Sequence, residues 1–381
     1  MGRLYFLTTT YFDPGATARL KEVLAEAGSS RPLLVTDRGV VAAGLVDHLY
    51  ARSGLAALPQ FEETPGNPDE AAVMKALAVY RESGADGVVA LGGGSSIDLG
   101  KAVALLAHQP GPLSRYDDLG GAGTRPIGPA VAPLVALPTT AGTGSEVGRA
   151  AVISTNPGPG ERARKLIVRS SHLLPRVSLA DPELTLGLPP AITAGSGMDA
   201  FAHCLEGFLA PNDNPPAAAV ALDGMARIWR ALPRAMADGS DLEARSAMMM
   251  GSLEGGMSMA NGLGAVHALS HALGALHDLQ LHHGTLNAVV LPAVLRFNRP
   301  AVGGRYPRVL AALGLPETAD LAEEIAAFNA RLGLPPGLAA MGVTEDLLPG
   351  LAPAAAGDAT SRTNPRPATA EDYRGLLEAA L

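Results

Sequence analysis

The chain has very little cysteine, few aromatic residues and no excess of positive charge. Among its 381 residues there is one cysteine, Cys204, and only 4% of the residues are aromatic. A single cysteine excludes an internal disulfide and is typical of a protein in a reducing, cytoplasmic compartment. The net charge of -8 argues against nucleic acid or an anionic membrane surface as the main partner.

Long apolar runs are also missing. No stretch reaches the roughly 18 residues that a membrane-spanning helix needs, so we expect no membrane insertion. The N-terminal residues 1–6 lead straight into polar threonines, and no secretory signal is expected there. A length of 381 residues predicts two domains.

The first half of the chain alternates short apolar runs with helical stretches. Buried strands are predicted at 33–36, 87–91 and 134–137, and helices at 69–83 and 96–107. This alternation predicts an α/β domain with a parallel sheet over residues 1–181. Beyond that point the chain is rich in Ala, Leu and Met with helical periodicity, which predicts an all-helical domain over residues 182–381.

A glycine loop follows the second predicted strand. Gly92, Gly93, Gly94 and Ser95 open a helix there, and such a loop lets a phosphate approach the backbone N–H groups at the helix N-terminus. Ser95 and Asp98 also have the spacing of a capping box. A tight turn before a capped helix is the alternative, because the loop lacks the G-x-G-x-x-G pattern of a standard Rossmann turn.

Two further positions after predicted strands favour nucleotide binding. The loop 139–146 is rich in Thr, Gly and Ser and offers hydroxyl and backbone donors, although a solvated loop is the alternative. Asp37 follows the first strand, where a carboxylate accepts hydrogen bonds from a ribose and repels a 2′-phosphate. This position favours NAD over NADP, with a plain N-cap or turn aspartate as the alternative.

Six of the nine histidines lie between residues 203 and 283. Two pairs have i, i+4 spacing, namely Asp199 with His203 and His267 with His271, and His282-His283-Gly284 adds a third element. On a helix this spacing puts both side chains of a pair on one face. A lone histidine in an apolar helix is usually a hydrogen-bonded core residue, but a carboxylate with several imidazoles is a ligand set for a divalent transition metal.

Taken together, these motifs resemble the iron-activated (group III) metal-dependent alcohol dehydrogenases, which have a dehydroquinate synthase-like fold. The matching segments follow family order over nearly the whole chain: 66–68, 92–101, 138–146, 181–185, 197–203, 262–271, 283–288 and 363–367. The resemblance implies an N-terminal dinucleotide-binding α/β domain and an all-α C-terminal domain, with the active site in the cleft between them.

The resemblance also assigns roles to single residues. It implies that Fe²⁺ or Zn²⁺ is bound by Asp199, His203, His267 and His283, and that His271 relays a proton or positions the substrate. With the loops described above, it assigns NAD(H) binding to Asp37, Asn67, Gly92, Gly93, Gly94, Ser95, Asp98, Thr139, Thr140, Thr143, Ser145 and Lys165.

The chain departs from the family pattern in two places. The last ligand usually lies in a Pro-His-Gly segment, but here the sequence is Leu281-His282-His283-Gly284, and the segment before it is about two residues longer. His282 and His277 therefore remain alternatives to His283. After Glu146, small residues suggest a roomier pocket, and Arg149 could meet an anionic substrate group or a cofactor phosphate, with a surface salt bridge as the alternative.

The activity implied is reversible hydride transfer between NAD(H) and a small alcohol and its aldehyde or ketone. Relatives commonly form homodimers or larger homo-oligomers, and we expect the same here. One alternative is the reduction of an anionic keto substrate, as in maleylacetate reductase. Another is a lyase of the dehydroquinate synthase type, although no cluster of Lys and Arg surrounds the metal motifs to hold its substrate.

Overall fold

The computed structural model describes residues 8–118, 124–155 and 164–381. These residues form two compact units. The α/β unit comprises the described residues up to Thr140 together with 145–186, and the helical unit comprises 187–381 together with the short segment 141–144. The predicted combination of an α/β part and an all-helical part is confirmed.

The α/β unit is built around a parallel sheet. Its elements in chain order are β1 (Thr9–Phe12), α1 (Leu20–Ala27), β2 (Pro32–Val35), α2 (Arg38–Ala42), α3 (Leu45–Ser53), β3 (Gln60–Phe61), α4 (Glu70–Glu82), β4 (Gly87–Gly92), α5 (Gly94–His108), β5 (Leu134–Pro138), β6 (Ala150–Ser154), β7 (Lys165–Arg169) and β8 (Val177–Ala180). The parallel sheet has the strand order β1-β8-β5-β4-β2-β3, and β6 pairs with β7 in an antiparallel hairpin. The predicted strands β2, β4 and β5 and the predicted helices α4 and α5 are confirmed, with small shifts at their ends.

The central strands are buried on both faces, which explains their continuous apolar sequences. Val88 and Ala90 of β4 join the core on one side of the sheet, and Val89 and Leu91 join the core on the other. The strands are in parallel register, with Gly92 of β4 opposite Pro138 of β5. The loops that follow β2, β4 and β5 therefore leave the sheet at one edge.

The helical unit contains α6 (Pro190–Leu209), α7 (Pro215–Ala237), α8 (Leu242–Ser258), α9 (Ala265–Leu273), α10 (His283–Val302), α11 (Arg305–Leu313), α12 (Leu321–Arg331), α13 (Leu348–Gly357) and α14 (Ala370–Ala380). Helix α6 is buried on all sides from Thr193 to Leu209, as expected for the central helix of a domain. It packs against α7, α8 and α10. None of the helices in the described ranges is long and apolar enough to span a lipid bilayer.

The capping box predicted for Ser95 and Asp98 is wrong. Helix α5 begins after Gly93, and no side chain caps its N-terminus. The Ser95 hydroxyl donates instead to the Gly66 carbonyl at 2.7 Å, and Asp98 accepts from the backbone N–H of Val152 at 2.9 Å. Both side chains have partners distant in sequence, so tertiary hydrogen bonds replace the local pair.

Candidate metal centre and cofactor loops

Helix α6 carries three ionisable residues on one face, at the spacing of one helical turn. These are Asp199, His203 and Glu206, whose exposed fractions are 3%, 5% and 6%. Burying charged groups in an apolar core costs free energy unless they are paired or bind a metal. Each of the three therefore needs a partner from another helix.

Helices α9 and α10 bring two more histidines to this face. Measured from Asp199 Oδ1, the Nε2 atoms of His203, His267 and His283 lie at 3.9, 3.6 and 3.7 Å. The ligand atoms of Asp199, His267 and His283 all lie within 4.8 Å of one another. Two ligands about 2.1 Å from one ion at tetrahedral angles are about 3.4 Å apart, so the spacing fits a shared divalent ion.

Asn287 provides a second indication that this group of residues suits a cation. Its Nδ2 donates to Asp199 Oδ1 at 2.7 Å and lies 3.3 and 3.4 Å from the Nε2 atoms of His267 and His283. Its own Oδ1 is buried and has no hydrogen-bond partner within the described ranges. One carboxylate oxygen and two imidazole nitrogens thus face the same point, where the amide of Asn287 is the donor. Such an excess of hydrogen-bond acceptors over donors is typical of a metal site.

The electrostatics keep three of the four donors, Asp199, His203 and His283, in the forms that a metal requires. Burial lowers the pKa of His203 to about 4 and the pKa of His283 well below its ordinary value, although Asp199 opposes both shifts. Burial would raise the pKa of Asp199, but His203 and His267 outweigh it and hold the pKa well below its ordinary value. Neutral imidazoles and an ionised carboxylate are the protonation states of metal ligands.

His267 differs from the other two histidines because two carboxylates face it. Burial would lower its pKa, but Asp199 and Glu206 raise the pKa to about 9. Its Nδ1 lies 2.6 Å from Glu206 Oε2. The sequence analysis missed Glu206, although its position seven residues after Asp199, two turns along the same helix face, was a usable signal.

His282 and His283 have different surroundings. His282 is the N-cap of α10: its side chain accepts a hydrogen bond from the Thr285 N–H at 3.3 Å. Its ring also packs so closely on Gly195 that a Cβ there would lie 2.6 Å from it. The neighbouring His283 faces Asp199, whereas the side chain of His277, the other alternative, lies outside what the structure describes.

His271 lies beside the candidate ligands and has a carboxylate partner of its own. Its Nδ1 is 2.9 Å from Asp358 Oδ2, and its ring stacks on that of His283 with centroids 5.5 Å apart. Burial would raise the pKa of Asp358, but His271 helps to lower the pKa to about 2. Asp358 lies in a Pro/Ala/Gly-rich stretch without a motif, so the sequence contained no signal for it.

The loops after β2, β4 and β5 bring several predicted cofactor residues together. Asp37 accepts a hydrogen bond from the Val40 N–H at 2.9 Å and so caps α2. The Ser96 hydroxyl is 3.3 Å from the second carboxylate oxygen of Asp37.

The loops after β4 and β5 contact each other. The N–H of Thr139 donates to the Gly92 carbonyl at 3.0 Å. Gly93 lies against Thr140, because a Cβ at this glycine would be 3.3 Å from the Thr140 hydroxyl. Gly94 and Ser95 form the first turn of α5 in the same region.

Asn67 and Lys165 form a second group in the α/β unit. Lys165 Nζ donates to Asn67 Oδ1 at 2.8 Å. Burial lowers the pKa of Lys165 to about 8, with Asp98 opposing the shift. The hydrogen bond from Ser95 to Gly66, the neighbour of Asn67, links this pair to the glycine loop.

Two other predicted cofactor residues belong to a buried network. Asp98 accepts a hydrogen bond from the Ser145 hydroxyl at 2.5 Å, and Lys101 Nζ donates to the Ser145 hydroxyl and carbonyl at 2.8 and 2.7 Å. Lys101 also donates to the carbonyls of Gly148 and Ala150, on either side of Arg149. Asp98 and Ser145 therefore have internal partners, and Lys101, which the sequence analysis did not assign, holds this segment.

Thr143, another predicted cofactor residue, groups with the helical unit rather than with the α/β unit. It belongs to the segment 141–144 of the helical unit. There the carbonyl of Gly142 lies 3.3 Å from His203 Nδ1, and a Cβ at Gly144 would be 2.5 Å from the backbone of Gly256. This segment thus contacts helices α6 and α8.

Comparisons with known proteins identify close relatives over the whole chain. Residues 8–182 match the family model described as iron-containing alcohol dehydrogenase, and residues 193–381 match that of the Fe-containing alcohol dehydrogenase family, C-terminal. The chain is 51% identical to a 4-hydroxybutyrate dehydrogenase of Cupriavidus necator, with 100% of both chains covered. A solved 1,3-propanediol oxidoreductase is 34% identical with a TM-score of 0.90, and 99% of each chain is covered. A solved sulfoacetaldehyde reductase from Bifidobacterium kashiwanohense in complex with NAD⁺ is 28% identical with a TM-score of 0.87, covering 100% of this chain and 99% of the other.

Proposed function

The chain belongs to the iron-containing alcohol dehydrogenase family, and we propose that it oxidises a short ω-hydroxycarboxylate, or reduces the matching aldehyde. As a member of this family it is an oxidoreductase that interconverts an alcohol and its carbonyl compound with NAD(H). The observation that supports the narrower substrate class is the 51% identity, over the full length of both chains, to a 4-hydroxybutyrate dehydrogenase.

We assign the metal to Asp199, His203, His267 and His283. The support is the convergence of three imidazole Nε2 atoms on one carboxylate oxygen at 3.6 to 3.9 Å. One carboxylate and three imidazoles suit Fe²⁺ and Zn²⁺ alike. When bound, such an ion supplies Lewis-acid polarisation of the substrate's alcohol or carbonyl oxygen.

His271 is our candidate for moving the substrate's proton. Its Nδ1 is held by Asp358 at 2.9 Å, which directs the donor hydrogen of the neutral ring to that side and leaves Nε2 with a lone pair. The ring stacks on His283, so it is adjacent to the proposed ligands. Nε2 would accept the hydroxyl proton during oxidation and return it during reduction, while the nicotinamide carries the hydride.

The cofactor is proposed to bind at the carboxyl edge of the parallel sheet, as ligands of open α/β sheets do. We keep the predicted NAD(H) set, with Asp37, the glycine loop, Thr139 and Thr140 as its central members. The N-terminus of α5 has no side-chain cap, so its N–H groups are available to a phosphate. The division into domains 1–181 and 182–381, the homo-oligomeric state and the cytoplasmic location also stay proposals.

The test of this function compares substrates that differ in one charged group. The full-length protein is stripped of metal, reloaded with Fe²⁺ or Zn²⁺, and assayed with NAD⁺ on 4-hydroxybutyrate, butan-1-ol and propane-1,3-diol. We expect metal-dependent turnover and a kcat/KM for 4-hydroxybutyrate roughly 10- to 100-fold above that for butan-1-ol, because a charge-assisted hydrogen bond contributes about 1.5–3 kcal/mol. Equal kcat/KM values for 4-hydroxybutyrate and butan-1-ol would refute the proposal that the substrate carries a carboxylate. Turnover that is independent of metal would refute the proposed role of the metal.

Replacing Asp37 by asparagine should relax the preference for NAD. Asparagine keeps the N-cap hydrogen bond to Val40 but removes the negative charge that repels a 2′-phosphate. We expect the ratio of kcat/KM for NADP to that for NAD to rise about tenfold, which corresponds to about 1.4 kcal/mol of removed repulsion. The matched control is Asp69→Asn, because Asp69 caps α4 in the same manner. An unchanged ratio in the Asp37 variant would show that Asp37 is only a helix cap.

A further inference from the structure

We propose that Glu206 is a positioning residue of the metal centre, which keeps a proton on Nδ1 of His267 and so leaves the Nε2 lone pair for the metal. This inference rests on the proposed role of His267 as a ligand. Neither the family resemblance nor the sequence motifs assign Glu206. It is a residue of α6, one turn beyond His203, and it is 6% exposed.

Both carboxylate oxygens of Glu206 contact the first turn of α9. Oε2 lies 2.6 Å from His267 Nδ1, and Oε1 accepts a hydrogen bond from the Val266 N–H at 2.7 Å. Two contacts from one buried carboxylate fix its orientation, and with it the orientation of the His267 ring. The other ring nitrogen, Nε2, is 3.6 Å from Asp199 Oδ1.

The chemistry of the contact decides which ring nitrogen carries the hydrogen. An ionised carboxylate only accepts hydrogen bonds, so the nitrogen that faces it at 2.6 Å must be an N–H. In a neutral imidazole the second nitrogen then has a free lone pair. Carboxylate–histidine–metal arrangements work in this way, and the loss of the outer carboxylate typically weakens metal binding 10- to 100-fold.

Gly264 explains how Glu206 reaches its position. A Cβ at Gly264 would lie 2.9 Å from Glu206 Oε1 and 2.8 Å from Asn364 Oδ1. The glycine therefore allows two side chains to approach the start of α9. Asn364 Oδ1 accepts from the Ala265 N–H at 3.1 Å, next to the Val266 N–H that Glu206 binds.

This arrangement also provides the control. Glu206 and Asn364 both satisfy N–H groups at the N-terminus of α9, which otherwise have no partner within the helix. Only Glu206 also touches His267. If Glu206 merely caps the helix, its substitution should affect metal binding as much as substitution of Asn364 does. If Glu206 selects the ring form of His267, its substitution should weaken metal binding more.

The test is the equilibrium affinity of the metal-free, full-length protein for Zn²⁺, measured by competition with a chromophoric chelator. In Glu206→Gln the amide oxygen can still accept from Val266, while the amide NH₂ faces Nδ1 and favours the ring form with its hydrogen on Nε2. We expect the Kd for Zn²⁺ to rise 10- to 100-fold and the absorption spectrum of the Co²⁺ form to change. Asn364→Ala should lower the Tm but change the Kd less than threefold.

Each outcome bears on the proposal. A Glu206→Gln protein with the wild-type Kd, or an Asn364→Ala protein with an equal loss of affinity, would overturn it. Absence of saturable Zn²⁺ binding by the wild type would overturn the proposed metal centre as well, and is thus distinguishable. If Glu206→Gln does not fold, ¹⁵N spectra of the wild-type Zn²⁺ form decide the matter: protonated Nδ1 in His267 supports the proposal, and unprotonated Nδ1 refutes it.

Discussion

Replacing His283 by alanine is expected to remove most of the bound metal and to lower turnover roughly a thousandfold, the equivalent of about 4 kcal/mol of transition-state stabilisation. His283 is the residue through which α10 contributes to the proposed centre, and its Nε2 lies 3.7 Å from Asp199 Oδ1. The His283 side chain is 35% exposed, so its truncation removes little packing from the core. Metal content per chain and kcat at saturating metal are the two measurements.

The matched control is His282→Ala, one residue earlier. His282 caps α10 through the Thr285 N–H and packs on Gly195. We expect this variant to lose about 0.5–1 kcal/mol of stability, as for the loss of an N-cap, and to keep its metal. If instead His282→Ala lost the metal and His283→Ala kept it, the assignment of the fourth ligand would be reversed. If both variants kept the metal, His277 would have to be tested next.

Replacing Gly284 by alanine should have the second-largest effect, since it pushes α10 away from α6. A Cβ at this position would lie 2.1 Å from the Gly195 carbonyl oxygen and 3.0 Å from Asp199 Cβ. The backbone of Gly195 cannot move aside for the added Cβ as a flexible side chain could. We therefore expect the free energy of unfolding to fall by about 3 kcal/mol or more. Because the shift separates His283 from Asp199, Zn²⁺ affinity should also fall at least tenfold.

The control for this substitution is Gly375→Ala, in the middle of α14. Gly375 is exposed, and a Cβ there meets no atom within 4 Å. Alanine is the better helix former, so this variant should gain about 0.5–1 kcal/mol. Thermal unfolding and chelator competition measure both variants. A Gly284→Ala protein with wild-type stability and wild-type Zn²⁺ affinity would show that α6 and α10 do not need this close contact.

Periodicity and local chemistry were enough to predict much of the architecture and part of the site. The strands β2, β4 and β5 were predicted because strands buried on both faces have continuous apolar sequences. The pairing of Asp199 with His203 followed from i, i+4 spacing on a helix, and the placement of Asp37 and Gly92 followed from their positions after strands. These signals are local: each depends only on residues within a few positions.

Other features could not be read from local pattern. Ser95 and Asp98 have the spacing of a capping box, yet their partners are Gly66, Ser145 and Val152, all far along the chain. Asp358 meets His271 across 87 residues of sequence. Tertiary packing overrides a local pattern where it brings a hydrogen-bond partner from a distant segment within reach, because the side chain then exchanges the local bond for the distant one at little cost.

The sequence by itself determined the fold class, the family resemblance and the residue types of the proposed centre, because hydrophobic periodicity and motif spacing are properties of neighbouring residues. Only the tertiary structure decided which of the adjacent residues His282 and His283 faces Asp199. It also decided that Glu206 contacts His267 and that Asp358 contacts His271. The reason is helix packing. Gly195 and Gly284 let α6 and α10 approach closely, and this contact turns His282 to the helix cap and His283 to the carboxylate.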